Sequence, residues 1–369
     1  MPEAAISSNY ASKKHSFSVP EKNKCDLFPP NPTTPIEAIV DFIMDPQLIG
    51  KLERLVGEKT VQGINIGQRT LKTDNSLALF YKPNPSNDKK VVVVILHGLG
   101  HSPVHFHFLA TLLAFLGITC VTVSLPGHHG SPQICSKEFS KYNLEKYGKN
   151  FHAKLAEISS LFQGYSLVTL AHSMGGPISL IDNYPIQNLK GKILLSSSGI
   201  PGAPLDFTKP LASCFLINAE KLITHGPFGY GPDMSFKTFF NGSYYPNFNP
   251  HTFKTFLASY QKEAFLAGID LLKSAYPVAL TPWRYKEGEK PLIVGMPILN
   301  LMAREDRLVP PTTGLRVGEA LKKSGGLVCN RIIDRAPHNS MLTNTPELVD
   351  FIFEWLLQSK ILQAQTRSN

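Results

Sequence analysis

Ser173, Asp306 and His338 are a hydroxyl, a carboxylate and an imidazole spread along one chain, in the order that acyl-transfer chemistry could use. A serine hydroxyl is a poor nucleophile at neutral pH. It needs a histidine to take its proton and a carboxylate to hold that histidine in the right tautomer. The local sequence singles out Ser173. The run Leu167-Val168-Thr169-Leu170 reads as a buried strand and leads into Ala171-His172-Ser173-Met174-Gly175-Gly176, then into a segment able to wind as a helix. So abrupt a strand-to-helix reversal strains the apex residue and crowds the residues two before and two after it against each other, so both must be small. This is the G-x-S-x-G elbow pattern with Ala171 in the first glycine slot and Gly175 in the second. Pro177 suits the first turn of the helix, where N–H groups are spare.

Around such an elbow the acid and then the histidine follow the serine in the chain. Only His225, His251 and His338 come after Ser173, and the first two fall in a segment that reads as an insertion. His338, in Ala336-Pro337-His338-Asn339, follows the last buried run and is the expected base. Asp306 directly follows the apolar run Ile298 to Met302 and is the expected acid. Glu305 is its rival, and Asp334 sits too near the base in sequence. The oxyanion formed on attack needs two preorganised donors. Met174 N–H is one candidate. Leu99 N–H, in His97-Gly98-Leu99-Gly100, is the other, because glycines let that backbone face the site. His97, Gly98, Gly100, His172 and Gly175 then support the loop and the elbow, with His97 read as structural. His101 and His105 lie four apart but have no third ligand or carboxylate beside them, so no metal is expected.

The elements that must position these groups alternate. Val91 to Gly100 and Ile118 to Ser131 contain continuous apolar runs of the kind buried on both faces of a parallel sheet. A helical stretch to about Leu116 separates them, and a second, about Asn150 to Phe162, precedes the elbow strand. Lys192 to Ser197, Ile298 to Ala303 and Leu327 to Ile333 supply further strands, and Val61 to Lys82 suggests one or two more at a sheet edge. The expected class is α/β, a mostly parallel central sheet flanked by helices. Residues 1–32 read as a loose polar arm, 33–200 as the first part of the core and 291–369 as the second, with a C-terminal helix. Thr34-Pro35-Ile36-Glu37 marks a helix start. Residues 201–290 are too many for a crossover and hold 17 of the chain's 36 aromatic residues, which suggests a mainly helical lid beside an acyl-sized pocket.

Composition narrows the classes. The chain has 369 residues, of which 43% are hydrophobic and 18% charged, ample for a large core. No apolar run is long enough to span a membrane and no secretory signal opens the sequence, so a cytoplasmic location is expected. Five scattered cysteines without metal-like spacing suit buried thiols. The +9 net charge is dispersed, which argues against nucleic acid and leaves peripheral membrane contact open.

With these motifs in hand, the chain resembles the α/β-hydrolase-fold serine hydrolases, and is most similar to the capped monoglyceride lipase, lysophospholipase and esterase group. The resemblance spans roughly residues 60 to 358. It rests on His97-Gly98-Leu99-Gly100, Leu125-Pro126-Gly127-His128, the Ala171 to Gly176 elbow, the Asp306 to Pro310 turn and His338. It implies two-step acyl transfer to water from a lipid-like or small acyl ester, without a cofactor. Ser173 would be the nucleophile, His338 base then acid, and Asp306 the orienting carboxylate. Ser124 and His129 depart from the common pattern near the site entrance. Serine at 173 argues against branches whose ester intermediate needs an aspartate. Thioesters, C–C bonds and acyl transfer to another acceptor stay open, as does a binding protein without turnover.

Overall fold

A computed structural model describes residues 59–61, 64–128, 130–132, 134, 136–139, 141–181, 185–198 and 293–362. The expected arm at 1–32, the helix from Thr34 and the lid at 201–290 lie outside the described residues. The strands are β1 (Lys59–Val61), β2 (Ile64–Thr70), β3 (Leu77–Lys82), β4 (Val91–Leu96), β5 (Thr119–Val123), β6 (Ser166–His172), β7 (Leu189–Leu195), β8 (Pro297–Ala303) and β9 (Leu327–Ile333). The helices are α1 (His107–Phe115), α2 (Ser136–Phe139), α3 (Leu144–Leu161), α4 (Gly175–Leu180), α5 (Pro311–Lys323), α6 (Ser340–Thr343) and α7 (Thr345–Gln358).

All nine strands form one sheet in the order β1-β2-β3-β5-β4-β6-β7-β8-β9. From β5 to β9 every pairing is parallel, and β1, β2 and β3 close one edge antiparallel. The apolar runs have a direct explanation. On β4, Val91, Val93 and Ile95 face one core while Val92, Val94 and Leu96 face the other. A strand covered on both faces has no polar side, so its sequence cannot alternate. The first core is roofed by Leu109 and Leu113 of α1 and by Leu348, Ile352 and Leu356 of α7. The second is roofed by Tyr147, Phe151, Leu155 and Ile158 of α3 and by Val317 and Leu321 of α5. No helix among the described residues is long and apolar enough to cross a membrane.

One helix differs from the sequence expectation in two ways. The helix expected from about Asn150 starts at Leu144, because Asn143 accepts a hydrogen bond from Lys146 N–H and caps it earlier. That helix also buries a charge. Lys154, 1% exposed, meets Asp74 at 2.9 Å and donates to the Ser124 carbonyl at the end of β5. Burial lowers the Lys154 pKa, opposed by Asp74. Burial would raise the Asp74 carboxyl, yet Lys154 and hydrogen bonds from Ser76, Lys154 and Asn150 outweigh it and hold it below its ordinary value. Lys154→Met strands that carboxylate, and we expect a loss of about 3 kcal/mol in urea unfolding, largely recovered by adding Asp74→Asn.

Candidate active site

Parallel strands deliver their C-terminal ends to one edge of the sheet, and every candidate catalytic side chain lies just beyond such an end. Ser173 follows β6. Its φ of +51° puts it in the left-handed region that non-glycine residues avoid. The backbone there is held on several sides. Ser173 N–H donates to Leu195 O at 3.0 Å, and its carbonyl accepts from Gly176 N–H at 2.9 Å and Ser198 N–H at 3.1 Å. The small residues serve neighbours rather than each other. A Cβ on Gly175 would stand 2.7 Å from His97 O and 3.0 Å from Leu96 O, so the glycine lets α4 pass over the end of β4. A Cβ on Gly98 would stand 2.7 Å from Ser173 Cβ. The loop after β4 therefore lies directly against the elbow.

That loop is tightly wound. Gly98 O accepts from His101 N–H at 3.1 Å, and Gly100 takes a φ of +67° to complete the turn. Among the described residues, no acceptor takes the N–H of Leu99 or of Met174. His97 donates through Nδ1 to Gly98 O at 3.0 Å and accepts at Nε2 from Leu125 N–H at 3.0 Å. Burial pushes its pKa well below the usual value, so it stays neutral while joining the ends of β4 and β5.

Asp306 and His338 come from the turns after β8 and β9. Asp306 Oδ1 accepts from Leu308 N–H and Val309 N–H, both at 2.8 Å, and Oδ2 accepts from His338 Nδ1 at 2.7 Å. Both side chains are buried, at 0% and 1% exposure. An ionised carboxylate only accepts, so Nδ1 of His338 carries the proton and a neutral ring keeps its basic lone pair on Nε2. Backbone bonds fasten the two turns together, Arg304 N–H to Ile333 O at 2.9 Å and Glu305 N–H to Ala336 O at 3.0 Å. Asp334 points outward to an exposed pair with Arg304. The imidazole thus meets Asp306 rather than either rival.

His172, the residue before Ser173, links elbow and base loop. Its Nε2–H donates to the His338 carbonyl at 3.1 Å, and the two rings pack against each other at a tilt of 50° with centroids 4.7 Å apart. Burial, followed by the nearby His338 and His101, pushes its pKa well below the ordinary value. The sequence marks His172 only as an elbow residue. A donor role toward a residue 166 positions away leaves no local signal. His225 and His251 lie outside the described residues. The rings of His101 and His105 are 5.0 Å apart, and His105 Nδ1 accepts from Ser102 N–H at 2.9 Å. Among the described residues, no cluster of three or more His, Cys, Asp or Glu could hold a metal.

A model of the alpha/beta hydrolase family matches residues 93–351. The chain belongs to that family. No curated protein matches the sequence of this alpha/beta hydrolase. Similar solved structures include a bacterial membrane phospholipase A at 15% identity and a TM-score of 0.56, covering 89% of this chain and 94% of its own. An esterase from Rhodococcus sp. shares 14% identity at a TM-score of 0.54, with 82% and 100% covered. An esterase from Thermogutta terrifontis shares 17% at 0.52, with 81% and 99% covered. At these identities the likeness is one of fold.

Proposed function

We propose that this alpha/beta hydrolase cleaves a carboxylic ester of a single acyl chain, of the monoacylglycerol, lysophospholipid or simple ester kind, through an acyl-enzyme. The observation that carries the reading is the buried Asp306–His338 pair at 2.7 Å, its imidazole packed against the ring of the residue preceding a positive-φ serine. The carboxylate holds the ring with its basic nitrogen at Nε2. His338 then takes the Ser173 proton as the hydroxyl attacks the ester carbonyl. Charge developing on the carbonyl oxygen is met by the N–H groups of Leu99 and Met174. The tetrahedral adduct collapses as protonated His338 gives its proton to the departing alcohol. Water, deprotonated by the same ring, releases the acid. No cofactor enters any step.

A family model spanning most of the sequence supports hydrolytic chemistry, and esterases and a phospholipase among the similar folds support an acyl ester. A fluorophosphonate probe tests the mechanism and p-nitrophenyl esters of graded chain length test the substrate. We expect wild-type protein to label and Ser173→Ala to lose labelling entirely. Unlabelled, folded wild-type protein, or undiminished labelling of Ser173→Ala, would defeat the reading.

A further inference from the structure

We propose that His101 is a positioning residue that locks the oxyanion loop to the base loop, with one ring nitrogen bonded to each. The inference deepens the acyl-transfer reading and rests on it. His101 Nδ1 lies 2.7 Å from Leu99 O, and Nε2 lies 3.0 Å from Asn339 Oδ1, 238 positions away in the chain. Leu99 supplies a proposed oxyanion donor, and Asn339 directly follows the proposed base.

The tautomer follows from the partners. A backbone carbonyl only accepts, so Nδ1 carries the proton that reaches Leu99 O. Burial, the largest of several influences, pushes the His101 pKa down to about 3, so the ring is neutral and Nε2 is a lone pair. The Asn339 carboxamide must then be turned end for end, so that NH₂ and not Oδ1 faces Nε2, the two ends being close in shape. A doubly protonated ring facing the amide oxygen would put a charge in a site that is fully buried.

The geometry at Leu99 shows why this position matters. The peptide joining Gly98 to Leu99 carries the Leu99 N–H, and its oxygen accepts from His101 N–H at 3.1 Å. A trans peptide points its N–H opposite its C=O, so fixing Gly98 O fixes the aim of that N–H. The next peptide is fixed through Leu99 O by the His101 ring. One residue therefore holds both peptides flanking the donor, and its far side holds the residue after the base. Its ring also packs edge-on against His172 at 5.1 Å between centroids. A donor displaced by about 1 Å can cost about 100-fold in rate, so a brace between these two loops acts on the transition state rather than on substrate affinity.

Two side chains shorten the histidine from opposite ends. Asn at 101 can still reach Leu99 O but not Asn339, whereas Gln extends toward Asn339 and gives up the Leu99 bond. We expect His101→Ala to lower kcat on p-nitrophenyl butyrate about 100-fold with KM within about twofold, and His101→Asn, His101→Gln and Asn339→Ala about 10-fold each. His101→Asn and Asn339→Ala cut the same arm, so the double variant should be no worse than either alone. If His101→Ala fails to fold, that cycle carries the test. Independent, multiplying losses, a loss confined to KM, or kcat within about threefold of wild type in every variant would overturn the inference alone. Inactive wild-type protein defeats the hydrolase reading, and this one with it.

Discussion

Replacing His338 by alanine should lower kcat by about 10⁴- to 10⁶-fold, the range seen when one member of a nucleophile–base pair is removed. The protein should stay folded, because Asp306 keeps its hydrogen bonds from Leu308 and Val309. Asp306→Asn is the sharper companion. The backbone N–H groups of Leu308 and Val309 select the amide oxygen, which turns the NH₂ toward His338. A donor facing Nδ1 drives the ring proton to Nε2, and the lone pair needed by Ser173 disappears. We expect a loss of about 10⁴-fold with little change in KM. Glu305→Gln should change kcat by less than about threefold. Steady-state kinetics on one soluble ester, with circular dichroism to verify folding, distinguish these outcomes. If Glu305→Gln proved the crippling change and Asp306→Asn the mild one, the acid would have to be reassigned.

The sequence made this much legible because the candidate catalytic residues lie at strand ends. Val91 to Leu96 and Leu167 to Leu170 could be recognised as doubly covered strands because neither has a polar face. Once those strands were placed, the turn after each one was a candidate site. His338 came from elimination, since only three histidines follow Ser173. What stayed hidden was long-range polar contact. Nothing in the residues around His101 announces Asn339, and its spacing from His105, with no third ligand beside them, points neither to a metal nor to a brace. Lys154 was equally opaque. It sits on the inner face of a helix otherwise lined by Tyr147, Phe151, Leu155 and Ile158, and its partner Asp74 comes from a turn before β3. The sequence also misdirected the reason for a small residue at 175. Crowding between the two flanks of the elbow was expected, whereas the nearest atoms are carbonyls of the neighbouring strand end.

That last difference separates two adjacent glycines. A methyl group on Gly176 would overlap the Ser197 side chain, with Ser197 Cβ 2.7 Å away. A methyl group on Gly175 would press on His97 O at 2.7 Å and Leu96 O at 3.0 Å, which are backbone. Both Gly175→Ala and Gly176→Ala should lower stability by about 3 kcal/mol, the upper part of the usual overpacking range. Their rescue should differ. Ser197→Gly removes the obstacle facing residue 176, so the double variant Gly176→Ala/Ser197→Gly should recover most of the lost stability and the activity with it. No side-chain change can retract a carbonyl. Gly175→Ala must be accommodated by shifting the Leu96–His97 segment, which runs directly into Gly98 and Leu99. Its folded fraction should therefore lose about 100-fold in kcat beyond any loss of folded protein, since the displaced backbone carries a proposed oxyanion donor. Urea unfolding midpoints set beside kcat per folded molecule separate the two effects. Equal recovery of both glycine variants by Ser197→Gly would show that the strain at 175 is relieved somewhere other than the end of β4.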